Sequence, residues 1–186
     1  MKLRRGFKKE AEEYAMEYRQ ELSLATDGAL CPFKLAASLE IPVVPLSHLA
    51  GFELTSSDYR TGESEFHAAT VPLGTYRMIV YNNARHPNRQ RSDVMHEIAH
   101  IALGHPPHLP LTDGGCRNFS PALEYEAKEL SCTLLIPKTA AKRIVSMGLS
   151  SREASTIYGA STELIEYRIR ITDARGWYRN SIRARR

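Results

Sequence analysis

The N-terminal part of the chain opens with a helical pattern of apolar positions. Phe7, Ala11 and Tyr18 belong to a stripe of apolar residues spaced three or four apart, with Lys, Glu and Arg between them. This spacing predicts an amphipathic helix over about 7–24. After the break at DGALCPF, the stretch FKLAASLE predicts a second, shorter helix. We interpret the apolar stripe of the first helix as core packing.

Three short stretches are typical of β-strands. IPVVPL (41–46) contains prolines, which suit an edge or a turn better than a central strand. The segments at about 65–71 and 76–81 are separated by the turn signal PLGT and predict a hairpin. The second of them, YRMIVY, has the composition of an exposed edge strand.

Helices are predicted again in the second half of the chain, over 121–135 and 138–148. Ser150 and Glu153 form a capping box at the start of another helix, and Gly159 separates that helix from the next. This last pair resembles a helix-turn-helix. The elements together predict an α+β fold with a small antiparallel sheet and a mainly helical C-terminal part.

The composition is that of an ordinary globular protein. The hydrophobic content of 42% and charged content of 25% fall in the usual range, and the chain has no run approaching 18 apolar residues. The basic start is not followed by an apolar segment, so we expect no secretory signal. Three cysteines without paired spacing indicate a reducing compartment, and we expect the protein in the cytoplasm.

The net charge of +4 comes largely from the two basic ends, KLRRGFKK and RGWYRNSIRARR. We interpret them as solvated termini, although such ends also suit nucleic acid or an acidic partner. In the helix-turn-helix-like segment, Arg168, Arg170 and Arg175 are candidates for phosphate contacts. The apolar residues Leu164 and Ile169 favour packing against the core instead, so we expect no direct DNA binding.

The stretch HEIAHIALGH carries the strongest chemical signal. Residues four apart lie on the same face of a helix, so His96 and His100 project together. Two imidazoles at this spacing suit Zn²⁺. Glu97 lies about 100° around the axis from His96, where a general base can take a proton from water. Gly104 and Pro106 end the helix.

A third protein ligand has two possible sources. His105 and His108 are near in sequence, but they reach back only through a tight reversal at Pro106-Pro107. The alternative is a carboxylate from the helix over 121–135. Glu124 lies on the same face as the apolar residues of that helix, and burying its charge there calls for a positive partner. Glu126 points away from this face and is the second choice.

The blocks HEIAHIALGH and LEYEAKELSCTLLIP together resemble the ImmA/IrrE family of metallo-endopeptidases. This resemblance extends over most of the chain and implies a gluzincin-like site. It makes His96 and His100 the zinc ligands, Glu97 the catalytic base and Glu124 the third ligand. Relatives carry Asp or Asn four residues after the ligand glutamate, where it supports a zinc histidine. This chain has Lys128 there, so either another group supports the histidine or zinc binding is weaker.

The resemblance also implies a biological role. Members of the family cleave or inactivate a helix-turn-helix repressor of the Xre type and thereby regulate stress-response or mobile-element genes. The alternative is a non-catalytic zinc-binding regulator or toxin–antitoxin partner that acts by protein contact. We expect a single metallo-endopeptidase domain over 1–186, with an N-terminal helical part (1–50), a zincin core (51–148) and a helix-turn-helix-like part (149–186).

Four further side chains are candidates for functional roles, each with ordinary packing or an unreactive thiol as the alternative. Cys116 lies in the loop between the two metal-binding helices, where a thiol gate on the zinc is possible but an ordinary thiol is favoured. Cys132 is expected in the core. Tyr76 and Tyr81, on the presumed edge strand, are candidates to stabilise an oxyanion, with packing as the favoured interpretation.

Overall fold

The computed structural model describes residues 3–49, 66–106 and 120–184. These ranges contain a three-stranded sheet and a larger set of helices, which confirms the predicted α+β class. The helices are α1 (Phe7–Glu21), α2 (Pro32–Ser38), α3 (Pro87–Ala102), α4 (Pro121–Leu135), α5 (Lys138–Ser146), α6 (Ser151–Tyr158), α7 (Thr162–Ile171) and α8 (Ala174–Arg183). The strands are β1 (Val43–Pro45), β2 (Ala68–Leu73) and β3 (Tyr76–Tyr81), and a short 3-10 helix covers Leu46–His48.

The sheet has the order β1-β3-β2. The predicted hairpin is present, because β2 pairs antiparallel with β3 and Thr70 lies opposite Ile79. β1 pairs with β3 in parallel, so the sheet is mixed rather than wholly antiparallel. The prediction that YRMIVY is an edge strand is therefore wrong: β3 lies in the centre of the sheet.

The positions of prolines explain this order. β1 contains Pro45 and β2 contains Pro72, whereas β3 contains none. A proline lacks the N–H that a central strand needs for pairing on both sides. Ile79 and Val80 of β3 are buried, as expected for the middle strand of a small sheet.

The core lies where α3 and α4 pack together, with α1 against α4. The inward faces of α3 and α4 are mostly apolar, and their buried polar residues, such as His100 and Glu129, have hydrogen-bond partners among the described residues. α1 is held to α4 by Arg19, which is fully buried and donates to the Leu134 carbonyl at 2.9 Å. This packing fixes α3 and α4 relative to each other.

The C-terminal helices form as predicted up to α7 and then continue. The capping box of α6 is present, and Gly159 ends that helix with a φ of 61°. The basic end, interpreted above as a solvated terminus, forms a further helix, α8, on which Arg175, Arg179 and Arg183 are exposed to solvent. Lys142 of α5 places its Nζ 4.4 Å from the Trp177 ring centroid of α8, and this cation–π contact is one of the links between the two helices.

Arg168 is not a phosphate-binding residue. It is 1% exposed, and its guanidinium donates to the Ile136 carbonyl and to the carboxylates of Glu129 and Glu12. Of the three arginines considered above, Arg170 and Arg175 remain exposed, and Arg175 pairs with Glu166.

Candidate metal centre

α3 begins and ends where its sequence dictates. Pro87 occupies the first turn, where its missing N–H has no helical partner to lose, and the His86 ring accepts from the Asn88 N–H at 3.2 Å. The helix ends at Ala102, and Gly104 reverses the chain with a φ of 65°. Val94, Met95, Ile98 and Ala99 are fully buried, which directs the neighbouring His96 and His100 side chains along one side of the packed helix.

α4 brings a carboxylate to the same place. Ser120 and Pro121 start this helix, and Glu124 lies in its first turn. Ala127, Leu130 and Leu134 are fully buried, and this packing against α3 orients the start of α4 towards the two histidines. The side chains of His96, His100 and Glu124 meet there.

The three groups form a small triangle. His96 Nε2 lies 3.2 Å from His100 Nε2 and 3.2 Å from Glu124 Oε2, and His100 Nε2 lies 3.4 Å from Glu124 Oε1. Ligand atoms bound tetrahedrally to zinc at about 2.0–2.1 Å are about 3.3 Å from one another. The edges to Glu124 end on its two different oxygens, and one ligand atom from each of the three residues lies within 4.8 Å of the others. Two imidazoles and a carboxylate in this arrangement are a donor set that suits zinc.

The triangle is closed on one side and open on the other. The His100 side chain is 7% exposed, whereas those of His96 and Glu124 are 29% and 24% exposed. A metal held here would keep access to solvent, as a catalytic zinc site requires and a structural one does not.

Glu97 lies beside the triangle and contacts the sheet. Its Oε2 accepts a hydrogen bond from Thr70 Oγ1 at 2.7 Å. Burial raises the pKa of Glu97, and the Thr70 hydrogen bond and the nearby His96 oppose this effect in part. Thr70 belongs to β2, so the edge strand of the sheet holds the predicted base in place. The contact is not evident from the sequence, because it depends on how the hairpin docks on α3.

The alternative ligands lie outside the triangle. His105 is buried behind His100, with their Nδ1 atoms 3.0 Å apart. Glu126 faces His105 at 3.8 Å and forms an ion pair with Arg4 Nε at 3.1 Å. Lys128 is exposed, in agreement with its inability to support a histidine. The reversal that returns His105 to α3 occurs at Gly104, earlier than the Pro106-Pro107 turn considered above.

Of the five remaining candidates, two lie outside the described residues and three can be placed. His108 and Cys116 lie outside the described residues. Cys132 is partly buried on α4, and burial raises the pKa of its thiol. Tyr76 is 72% exposed, and Tyr81 packs edge-on against Phe33 at a ring distance of 5.4 Å.

Comparison with known families agrees with this geometry. The model of the peptidase M78 family, described as the IrrE N-terminal-like domain, matches residues 49–170, well over half of the chain. The chain belongs to this peptidase family. The resemblance drawn from HEIAHIALGH and LEYEAKELSCTLLIP is thus confirmed. Comparisons with curated proteins and with solved structures give no significant match.

Membership in the IrrE N-terminal-like family supports a metallopeptidase type of function and implies a bound metal. The matched range contains both helices of the triangle, the hairpin that carries Thr70, and most of the helical C-terminal part. α1, α2, β1 and α8 lie outside the match. None of the helices in the described part of the chain is long and apolar enough to span a membrane.

Proposed function

We propose that this chain is a zinc-dependent endopeptidase and that its substrate is a helix-turn-helix repressor. The observation that carries the proposal is the convergence of His96, His100 and Glu124, with Glu97 directly beside them. The family match supports the peptidase part of the proposal. The repressor is an expectation from the family resemblance and is tested below.

His96, His100 and Glu124 would hold the metal. Zinc bound there would supply positive charge that polarises a peptide carbonyl and lowers the pKa of water. The open side of the triangle, at His96 and Glu124, gives the substrate its access.

Glu97 moves the proton. Its Oε2 accepts the Thr70 hydroxyl, so Oε1 takes the proton from the attacking water and then donates it to the leaving amine. The burial that raises the pKa of Glu97 favours this role, because a carboxylate with a raised pKa is a stronger base.

β2 is suited to hold the substrate. Among the described residues this strand pairs with β3 on one side, and Thr70 connects it to Glu97. An extended peptide added along the other side of β2 would pass beside the base and the metal ligands. Backbone hydrogen bonds of this kind give affinity with little dependence on sequence.

A repressor substrate would place the enzyme in the cytoplasm and make it a regulator of stress-response or mobile-element genes. Direct DNA binding is disfavoured by the exposed face of α7. That face presents the carboxylates of Glu163 and Glu166 beside Arg170, and Arg168 of the same helix is buried, so the face offers no excess of positive charge to phosphate. Recognition of the repressor therefore rests on protein contacts.

The test combines metal analysis with a cleavage assay on the helix-turn-helix protein encoded beside this gene. The wild-type chain should bind about one zinc and cleave that protein. Glu97→Gln should keep the zinc and lose about 10²–10⁴-fold in cleavage rate. Glu124→Ala should lose both metal and cleavage.

Glu13→Gln provides the matched control, because Glu13 is an exposed carboxylate on α1 that pairs only with Lys9 in the described part of the chain. It should leave zinc content and cleavage unchanged. If Glu97→Gln still relieved repression fully while binding zinc, the chain would act by contact as a non-catalytic regulator or toxin–antitoxin partner. That result would overturn the peptidase proposal.

A further inference from the structure

We infer that His105 is the positioning residue of the metal centre, and that it orients His100 by accepting a hydrogen bond from the His100 Nδ1–H. The inference rests on the metal centre within the proposed function. It does not depend on whether the chain cleaves a repressor.

The orientation of His100 determines which nitrogen of its ring carries the proton. Nε2 faces the site, 3.2 Å from His96 Nε2 and 3.4 Å from Glu124 Oε1. A neutral imidazole that binds a metal through Nε2 carries its proton on Nδ1. Since the His100 side chain is 7% exposed, that N–H requires an acceptor within the protein.

His105 supplies that acceptor. Its Nδ1 lies 3.0 Å from His100 Nδ1, and the residue is 5% exposed. Two Nδ1 atoms at this distance make a hydrogen bond only if one carries the proton and the other does not. With the proton on His100, His105 must be the tautomer protonated on Nε2.

The surroundings of His105 favour this tautomer. Its Nε2 faces Glu126 Oε2 at 3.8 Å, a separation at which the carboxylate acts through its charge and favours a proton on that nitrogen. Arg4 Nε forms an ion pair with the other Glu126 oxygen at 3.1 Å. A chain of polar groups thus runs from Arg4 through Glu126 and His105 to His100.

The backbone of His105 is fixed as well. Gly104 has a φ of 65°, which reverses the chain so that the His105 N–H donates to the His100 carbonyl at 3.0 Å. The His105 carbonyl accepts from Arg77 Nη1 of β3 at 3.1 Å. The backbone that carries the imidazole is therefore held on both sides of the side chain, which supports a positioning role.

This arrangement answers the question raised by Lys128. Lys128 is exposed and has donors only, so it cannot support a zinc histidine. In this chain the support comes from His105, three residues after the end of α3, and not from α4.

The test is metal affinity, measured by competition with a chelator for Zn²⁺, and the histidine tautomers, measured by ¹⁵N NMR of the zinc-loaded protein. His105→Leu should weaken zinc binding about 10–100-fold. His105→Asn should recover most of that loss, because the amide Oδ1 is the same number of bonds from the backbone as Nδ1 of histidine. Lys128→Ala is the matched control and should bind zinc like the wild type.

Circular dichroism would show whether each variant is folded, and Glu126→Gln keeps the inference testable if His105→Leu is not. Glu126 is 17% exposed in its side chain, so its amide can be solvated, and the variant should weaken zinc binding by less than His105→Leu. The NMR spectrum should show His105 protonated on Nε2 and not on Nδ1. A proton on His105 Nδ1, or unchanged zinc affinity in folded His105→Leu, would overturn the inference.

The outcomes also separate this inference from the proposed function. A chain that binds zinc but cleaves nothing would overturn the peptidase proposal and leave the role of His105 intact. A chain that binds no zinc would overturn both.

Discussion

At the scale of single residues, Thr70 decides how Glu97 is presented. The hydroxyl donates to Glu97 Oε2 at 2.7 Å, and Thr70 is itself 7% exposed, so water does not readily replace it. Thr70→Val keeps the shape and removes the hydrogen bond. We expect kcat to fall about tenfold, the equivalent of the roughly 1.5 kcal/mol of a hydrogen bond to a charged group. Steady-state kinetics on a cleaved peptide measure this.

Thr70→Ser is the matched control, because it keeps the hydroxyl, and its kcat should stay near that of the wild type. Zinc content should not change in either variant, since Thr70 does not belong to the metal triangle. A Thr70→Val enzyme with full kcat would show that Glu97 is oriented by other contacts.

The two described cysteines should differ in reactivity. Burial opposes ionisation of Cys31, but the backbone N–H of Lys34 and the charge of Arg91, whose Nη1 lies 3.4 Å from Cys31 Sγ, together lower the pKa of the thiol. Burial raises the pKa of Cys132. Because the thiolate is the reactive form, iodoacetamide should label Cys31 faster than Cys132 at neutral pH. Peptide mass spectrometry over time measures both rates, and equal rates would contradict the prediction.

At the scale of elements, the capping box of α6 is the clearest local determinant. Ser150 Oγ accepts from the Glu153 N–H at 3.2 Å, and the Ser150 N–H donates to the Glu153 carboxylate at 2.8 Å. Ser150→Ala should lower the free energy of unfolding by about 1 kcal/mol. Urea denaturation measures the change. Ser146→Ala, at an exposed helical position, is the control and should be neutral or slightly stabilising.

The same capping box makes a prediction for pH. The pKa of Glu153 is lowered, and the largest cause is the hydrogen bond between its carboxylate and the Ser150 side chain. A carboxyl group with a lowered pKa in the folded state contributes stability above its unfolded pKa, and that stability is lost as pH falls through the folded pKa. The difference between wild type and Ser150→Ala should therefore shrink in acid. A difference independent of pH would show that the hydrogen bond from the Ser150 hydroxyl to the carboxylate contributes nothing.

Local sequence signals were sufficient for most of these elements. The predicted helix 121–135 is present as α4, and the turn signal PLGT correctly predicts the β2–β3 hairpin. The order of the strands was predicted only in part. IPVVPL forms an edge strand as predicted, but YRMIVY is central, although prolines in β1 and β2 and their absence from β3 carry that information. Whether a strand lies at the edge or in the centre of a sheet depends on whether it pairs with neighbours on one side or on both. The periodicity of residues along a single strand does not contain this information.

The candidate site, too, could be predicted only in part. The spacing of His96 and His100 and the inward face of Glu124 were readable from helix geometry alone, and the structure brings all three together. The roles of Thr70 and His105 were not readable. They depend on the docking of the hairpin on α3 and on the direction of the chain after Gly104, which are tertiary features.

At the scale of the whole molecule, Arg168 joins parts of the chain that are distant in sequence. Its guanidinium donates to Glu12 of α1 at 2.7 Å, to Glu129 of α4 at 3.4 Å and to the Ile136 carbonyl at 2.7 Å. α7, which looks like a recognition helix in the sequence, is thereby bound to the helix that carries Glu124. The C-terminal part thus stabilises the position of α4.

Removing this charge should have a large effect on stability. Arg168→Met would leave the buried Glu129 carboxylate and the Ile136 carbonyl without their partner, which should lower the free energy of unfolding by about 3–5 kcal/mol. Arg170→Met, two residues along the same helix but exposed, should change it by less than about 1 kcal/mol. Urea denaturation compares the two variants. Equal stabilities would show that Arg168 does not hold α7 to the core.

A second substitution separates the pairing of charges from the packing of the side chain. In Arg168→Met combined with Glu129→Met, the orphaned carboxylate is gone and two apolar side chains face each other. The loss of stability should then be smaller than the sum of the two single losses, because each single variant leaves one buried charge unpaired. Additive losses would indicate that the two charges do not interact, and that Arg168 stabilises the fold through its bonds to Glu12 and the Ile136 carbonyl alone.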